Sequence, residues 1–245
     1  VNAKEIKENT IMASDHNLIY MVGFNHRFHP ALSMAKRFVS EDFIGKIHFI
    51  RGVYGHGGKI GYDKEWRNKP ELSGGGELLD QGIHLIDLSF WFLEDSFEKV
   101  AGILAKNFWS QTLEDNAFIL LRSRLGVSIS LHASWTQWQK KFLWEIYGEK
   151  GCITVEGLNG SYGIESLYYI GRNARTGILN KEETSQFLPK KGYKDPDISL
   201  FYLWNGFMKS IKSGNQIAPY PTGKDAFRAL EIIEKIYNQE REENQ

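Results

Sequence analysis

Asp80 and His84 stand four residues apart in the run SGGGELLDQGIHLIDLSFWFL, residues 73–93. In a helix that spacing puts a carboxylate and an imidazole side by side on one face. Such a pair is equipped to pass a proton to or from a hydroxyl, the work of general acid–base catalysis. The same spacing also occurs as plain electrostatic support on helix surfaces. The three glycines ahead of it predict that Asp80 lies near the helix start, where a carboxylate stays ionised easily. A metal site built from Asp80, His84 and His56 is the competing chemistry, and it lacks a ligand signature such as His-Glu-x-x-His. No Gly-x-Ser-x-Gly elbow points to a serine hydrolase. Cys152, between apolar strand residues, reads as packing.

The pair needs elements to hold it. Leu79, Ile83, Ile86, Phe90 and Leu93 recur at three- and four-residue steps and predict a helix with one apolar stripe on a core. Ahead of it, residues 54–70 form a long glycine-rich loop bearing His56, Lys59, Trp66 and Arg67, and loops of that length are more often functional than idle. At the start of the chain, Asn2 and Glu5 resemble a capping box opening a helix that runs to about Asp15. Residues 18–22, apolar throughout, predict a strand covered on both faces, as in a parallel sheet. The other strands of such a sheet are missing, and the first residue is Val rather than Met, so the expectation is a truncated chain. Asn25 and Arg27 follow that strand, where open parallel sheets meet their ligands; the alternative is that Arg27 pairs with a carboxylate elsewhere.

Residues 30–40 read as a helix and 47–54 as a strand. Beyond the central helix, strands are predicted at 100–106, 117–122, 127–135, 143–148, 152–156, 166–170 and 184–188, with no helix between them, which implies an antiparallel sheet. Val127, Ile129, Leu131, Ala133 and Trp135 alternate with Ser128, Ser130, His132 and Ser134, so one face meets a core and the other is small and polar. That polar face is either solvated or stacked on another copy of itself. Helices over 197–213 and from Thr222 onward finish the chain, the latter opened by a second capping box with Asp225 and frayed from Glu240.

Composition narrows the class. The 245 residues are 42% hydrophobic, enough for a packed core, and 30 basic residues balance 30 acidic ones. That balance argues against nucleic acid and anionic membranes as partners. No apolar run is long enough for a membrane span, and the single cysteine suits a reducing compartment, so a cytoplasmic location is expected.

Residues 74–93 resemble the most distinctive motif of the Gfo/Idh/MocA oxidoreductases. VGFNHRF is similar to the segment leaving that family's Rossmann domain, KIHFIRGVY to the first strand of its second domain, and DAFRALEIIEKIYNQ to its closing helix. The resemblance covers essentially the whole chain. It implies an α+β fold: a large open-faced, mostly antiparallel sheet with helices on one face, preceded by a remnant helix-strand of a Rossmann fold. Residues 1–24 would be that remnant and 25–245 the substrate-binding and oligomerisation domain.

The implied activity is NAD- or NADP-dependent hydride transfer at a sugar or cyclitol hydroxyl carbon. Asp80 and His84 would be catalytic, and Asn25, Arg27, Lys59, Trp66 and Arg67 would meet substrate. Asn25, Arg27 and Gln81 would meet the cofactor. The family's catalytic Lys, in a Glu-Lys-Pro motif, and its glycine fingerprint are absent from this chain, so it is expected to be inactive by itself. Homodimers or homotetramers built through the sheet are implied. Two alternatives stand beside this: an NAD-dependent glycosidase of the same family, and a non-catalytic oligomerising or ligand-binding domain.

Overall fold

The computed structural model describes residues 2–109, 112–172, 196–217 and 219–243, with backbone alone at 184–188 and 243. Its strands are β1 (Ile47–Gly55), β2 (Phe97–Ala105), β3 (Asn116–Ser123), β4 (Ser128–Ser134), β5 (Lys141–Gly148), β6 (Gly151–Glu156), β7 (Ser166–Gly171) and β8 (Thr184–Leu188). They form one open sheet in the order β2-β3-β4-β1-β5-β6-β7-β8. Every neighbouring pair is antiparallel except β1 and β4, which run parallel. The connection from β1 to its parallel neighbour passes through the central helix, as such a crossover requires. The mostly antiparallel α+β architecture is therefore the one the sequence leads to.

One face of the sheet is the core. Register places Gly102, Ile119, Leu131, Gly52, Trp144 and Val155 side by side from β2 to β6. Trp144 is fully buried, and its ring fills the space a side chain on Gly52 would need. Over this face lie α2 (Pro30–Ser40), α4 (Ile83–Leu93) and α6 (Gly223–Glu243). α6 packs on β2, on α4 and on α1 (Ala3–Asp15), while α5 (Ser199–Ser213) packs on the short turn Asn25–Phe28. The other face carries the row Ile103, Phe118, His132 and Val53, with Leu120 and Arg51 beside it. It is less polar than its alternation suggests, since Ile103, Phe118 and Leu120 are all exposed there.

Several local expectations change. Instead of one stripe, α4 is buried nearly all round, from Leu85 through Phe90 and again at Phe92, because sheet and helices enclose it. Residues 18–22 form no ladder; Met21 alone makes an isolated antiparallel bridge to Thr222. A strand exists only by pairing, and apolar composition does not supply the partner. In α5 the apolar residues Leu200, Phe201, Trp204 and Ile211 are exposed, and Ser199, Gly206 and Ser210 are the buried ones. α6 does not fray at Glu240, whose carboxylate accepts the Leu104 N–H at 2.8 Å. Both capping residues hold: Asn2 and Glu5 make the full reciprocal box, and Asp225 accepts the Thr222 N–H at 2.8 Å. No helix among the described residues is long and apolar enough to cross a membrane.

A methyl at position 52 would sit 2.7 Å from the Trp144 ring. Gly52→Ala is therefore expected to destabilise the fold by about 1–3 kcal/mol through overpacking, measured as a shift of the urea midpoint.

Candidate active site

The glycine run ends α3 (Pro70–Ser73) and leads into a single π-helical turn, Leu78–Gly82, before α4 begins. Such turns recur at functional sites, and their first amides need outside partners. Glu114 supplies them: its carboxylate accepts the N–H groups of Gly76 at 3.2 Å and Leu78 at 3.1 Å, and the Tyr237 hydroxyl at 2.6 Å. Its main-chain carbonyl accepts from Glu77 at 3.0 Å. The end of the β2–β3 connection and the last helix thus fix where the turn carrying Asp80 sits.

Arg67 Nε donates to Asp80 Oδ2 at 3.2 Å, and the guanidinium lies over the Trp66 ring, 4.6 Å from its centroid. The loop therefore brings Arg67 onto Asp80, while Lys59 pairs with Glu65 at 2.5 Å instead. The His84 ring is tilted on His26 with centroids 4.5 Å apart and meets Phe24 edge-on at 5.9 Å. Its Nδ1 is buried without a hydrogen-bond partner among the described residues.

Two cavities meet here. One, of about 370 Å³, has apolar walls from Ile6, Val22, Phe24, Leu79, Ile83 and Leu230. The other, of about 460 Å³, is polar, with Tyr54, His56, Lys59, Tyr62, Gln81, Lys140 and Tyr162 among its walls. Arg67, Asp80 and His84 line both, so they form the partition between an apolar space and a polar one.

Burial sets the protonation states. It pulls His84 down to about 4, and nearby Asp80 only partly opposes this, so the ring is neutral near pH 7. Burial also raises Glu77 well above the usual carboxylate range, helped by the charges of Asp80 and Glu114. Gln81 locks Glu77 to the polar cavity: its amide nitrogen donates to Glu77 Oε1 at 2.6 Å and to the Tyr54 carbonyl at 3.2 Å, and its oxygen accepts from the Tyr162 hydroxyl at 3.0 Å. His56 Nδ1 accepts the Gly58 N–H at 2.9 Å, and burial lowers its pKa as well.

Asn25 and Arg27 lie away from this partition. Asn25 Nδ2 donates to Ser199 Oγ at 2.7 Å. Arg27 is buried and makes two bonds to Asp87, Nε to Oδ2 at 2.9 Å and Nη2 to Oδ1, and a third to Asp225 at 3.0 Å. Of the two readings of Arg27, the structure contains the internal pair. Burial raises Asp87 to about 6 against the pull of Arg27. At Asp225, burial pushes up, but Arg27 and the Thr222 N–H outweigh it and hold the carboxyl at about 2. Among the described residues, no group of three or more His, Cys, Asp or Glu is arranged to hold a metal ion.

Sequence reasoning passed over His26, Glu77, Lys140 and Tyr162. The first two stand inside stretches already singled out, and a charged Glu between three glycines and two leucines was a visible signal. Lys140 and Tyr162 come from connections between strands and carry no local mark.

Comparison with known proteins now places the chain. Residues 32–154, just over half of it, match the sequence model of the GFO/IDH/MocA C-terminal domain. The chain belongs to the Gfo/Idh/MocA oxidoreductase family. Levoglucosan dehydrogenase of Pseudarthrobacter phenanthrenivorans is 33% identical over 93 residues, which is 37% of this chain and 24% of that protein. The galactose/lactose metabolism regulatory protein GAL80 of Kluyveromyces lactis is 25% identical over 191 residues, 67% of this chain and 42% of that one. The solved complex of levoglucosan dehydrogenase with NADH and levoglucosan shares the fold, with a TM-score of 0.81 at 21% identity, over 97% of this chain and 68% of that chain. The chain spans about a quarter to a half of the length of the curated relatives it matches.

Arg27→Met would leave the buried Asp87 without its cation, while Asp225 keeps Arg228 at 2.8 Å. The expected cost is about 3–5 kcal/mol, read as a large drop in thermal midpoint.

Proposed function

We propose that this chain is the substrate-binding and oligomerisation part, residues 25–245, of an NAD- or NADP-dependent oxidoreductase, with residues 1–24 closing its dinucleotide domain. The reaction is hydride transfer to or from a hydroxyl-bearing carbon of a sugar or cyclitol. The observation that carries this reading is the shared wall: Arg67, Asp80 and His84 face an apolar cavity on one side and a polar one on the other. The apolar cavity fits the nicotinamide end of the cofactor, a flat ring that tolerates Phe24, Leu79 and Ile83 around it. A nicotinamide held there supplies the hydride acceptor or donor. The fit stops at that end, since the sequence has no Gly-x-Gly-x-x-Gly turn for the pyrophosphate.

The polar cavity suits a polyol. Lys59, Lys140, Gln81 and the Tyr162 hydroxyl offer donors and acceptors to ring hydroxyls. His84, neutral because it is buried, takes the reacting hydroxyl's proton. With Nδ1 enclosed, Nε2 is the atom that does so. Asp80, steadied by Arg67, accepts a hydrogen bond from the substrate and favours the imidazolium as it forms. Asn25 and Arg27 serve the site through the fold, by holding the turn that carries His26. Support for the sugar comes from levoglucosan dehydrogenase, solved with NADH and levoglucosan or L-sorbose. A cytoplasmic location accords with a single, buried cysteine.

The likeness to GAL80 favours one other reading, a domain that binds ligand without turnover. Turnover separates the two. In the complete protein, His84→Ala should lower kcat by about 10²- to 10⁴-fold, and the 245-residue chain alone should show no turnover. Alcohol oxidation should be retained at neutral pH and lost as pH falls through about 4, where His84 becomes protonated. An unchanged rate in His84→Ala would exclude the proposed base.

The exposed sheet face fits a homodimer or homotetramer, because Ile103, Phe118 and Leu120 make a flat apolar patch on it. Phe118→Asp combined with Leu120→Lys is expected to yield a folded monomer by native mass measurement. An unchanged assembly mass would place the interface elsewhere.

A further inference from the structure

Beside the polar cavity lies an aromatic patch that the proposed reaction does not use. Trp138 and Phe108 are 63% and 64% exposed, and their rings meet edge to face with centroids 5.1 Å apart. Trp109 touches both and leads back to the cavity through Tyr62, 5.5 Å away. These rings are held in place. Trp109 Nε1 donates to the Trp135 carbonyl at 2.9 Å. The Asp115 carboxylate accepts the N–H groups of Asn107, Phe108 and Trp109 at 2.7–2.9 Å, which fixes the segment carrying Phe108.

The backbone of Trp138 has φ 58°, in the left-handed region that bulky side chains avoid. Gly57, in the cavity loop, lies so close that a Cβ there would be 2.9 Å from the Trp138 Cα. Strain at an exposed aromatic residue is sustained by the surroundings and points to a use for the ring. Lys140, two residues further on, lines the polar cavity. The patch therefore abuts the cavity wall, with Gly58 and Tyr62 of that wall packed on Trp109.

We infer that Trp138 and Phe108 form a second sugar subsite, a platform for a ring joined by a glycosidic bond to the one in the polar cavity. The substrate class is then a disaccharide or larger glycoside rather than a free monosaccharide. A sugar ring has an apolar C–H face that stacks on an aromatic surface while its hydroxyls stay in water; with the two rings at 90°, the Trp138 face takes that stack and Phe108 borders it as a side wall. A protein partner would need a far larger patch than two side chains. This inference rests on the sugar oxidoreductase reading, and the experiment below separates the two.

The test compares kcat/KM of the complete protein for glucose, galactose, mannose and xylose with cellobiose, lactose, mannobiose and xylobiose. The expected result is that one disaccharide exceeds its monosaccharide by about three- to tenfold. Trp138→Gly, which accepts the positive φ without strain, should bring that ratio to about one, and Phe108→Ala should lower it. A ratio near one in the wild type, or one unmoved by Trp138→Gly, overturns the subsite while the sugar reading stands. A fall in assembly mass in Trp138→Gly assigns the patch to an interface and also overturns the subsite. Failure of every sugar in the panel to be oxidised overturns the sugar reading and the subsite with it.

Discussion

Three elements meet at the guanidinium of Arg27. It is buried between Asp87 of α4 and Asp225 at the start of α6, and it belongs to the turn that follows residues 18–22. A buried cation of this kind gains little net stability over an apolar filling, but its loss strands the buried Asp87, while Asp225 keeps Arg228 as a second partner. Its consequence is geometric. The turn that carries Arg27 also carries His26, and the helix that carries Asp87 also carries His84, so the ion pair brings those two rings into contact. α6, held by Asp225, supplies Leu230 and Ala226 to the apolar cavity. One charge thus registers three walls of the site.

Within those walls, environment divides the work among similar groups. Glu77 and Asp80 stand three residues apart, yet the first is buried, which raises its pKa, while the second faces Arg67 at the cavity edge. Glu77 holds Gln81 and, through it, Tyr162, and so stiffens the polar cavity. Asp80 lines both cavities. His84, deprived of solvent at Nδ1, stays in its basic form. The π turn allows these assignments, since it is held at its start by Glu114 and Tyr237 from distant parts of the chain.

The sheet does two jobs on two faces. Its inner face is packed tightly enough that Gly52 has to be glycine under Trp144. Its outer face pairs Phe118 with His132 and Phe49 with Tyr147 in stacked contacts. The strand order inserts β1 between β4 and β5, which puts the loop after β1 beside the connection between β4 and β5. His56 and Lys140 reach one cavity for that reason.

What the sequence determined by itself was whatever a short window of residues controls. The alternation in Val127–Trp135, the capping residues Asn2 and Thr222 and the helix at 30–40 all follow from local period and local hydrogen bonds. Tertiary structure decided what depends on a distant partner. Residues 18–22 have the composition of a buried strand but no ladder to join, and the apolar side of α5 is left exposed while its small residues are covered. The choice of Asp87 and Asp225 for Arg27, the parallel placement of β1, and the arrival of Tyr162 and Lys140 at the cavity carry no mark in their own neighbourhoods. Periodicity reports which side of an element is apolar; only the packed fold fixes what meets that side, and burial then sets the charge each group carries.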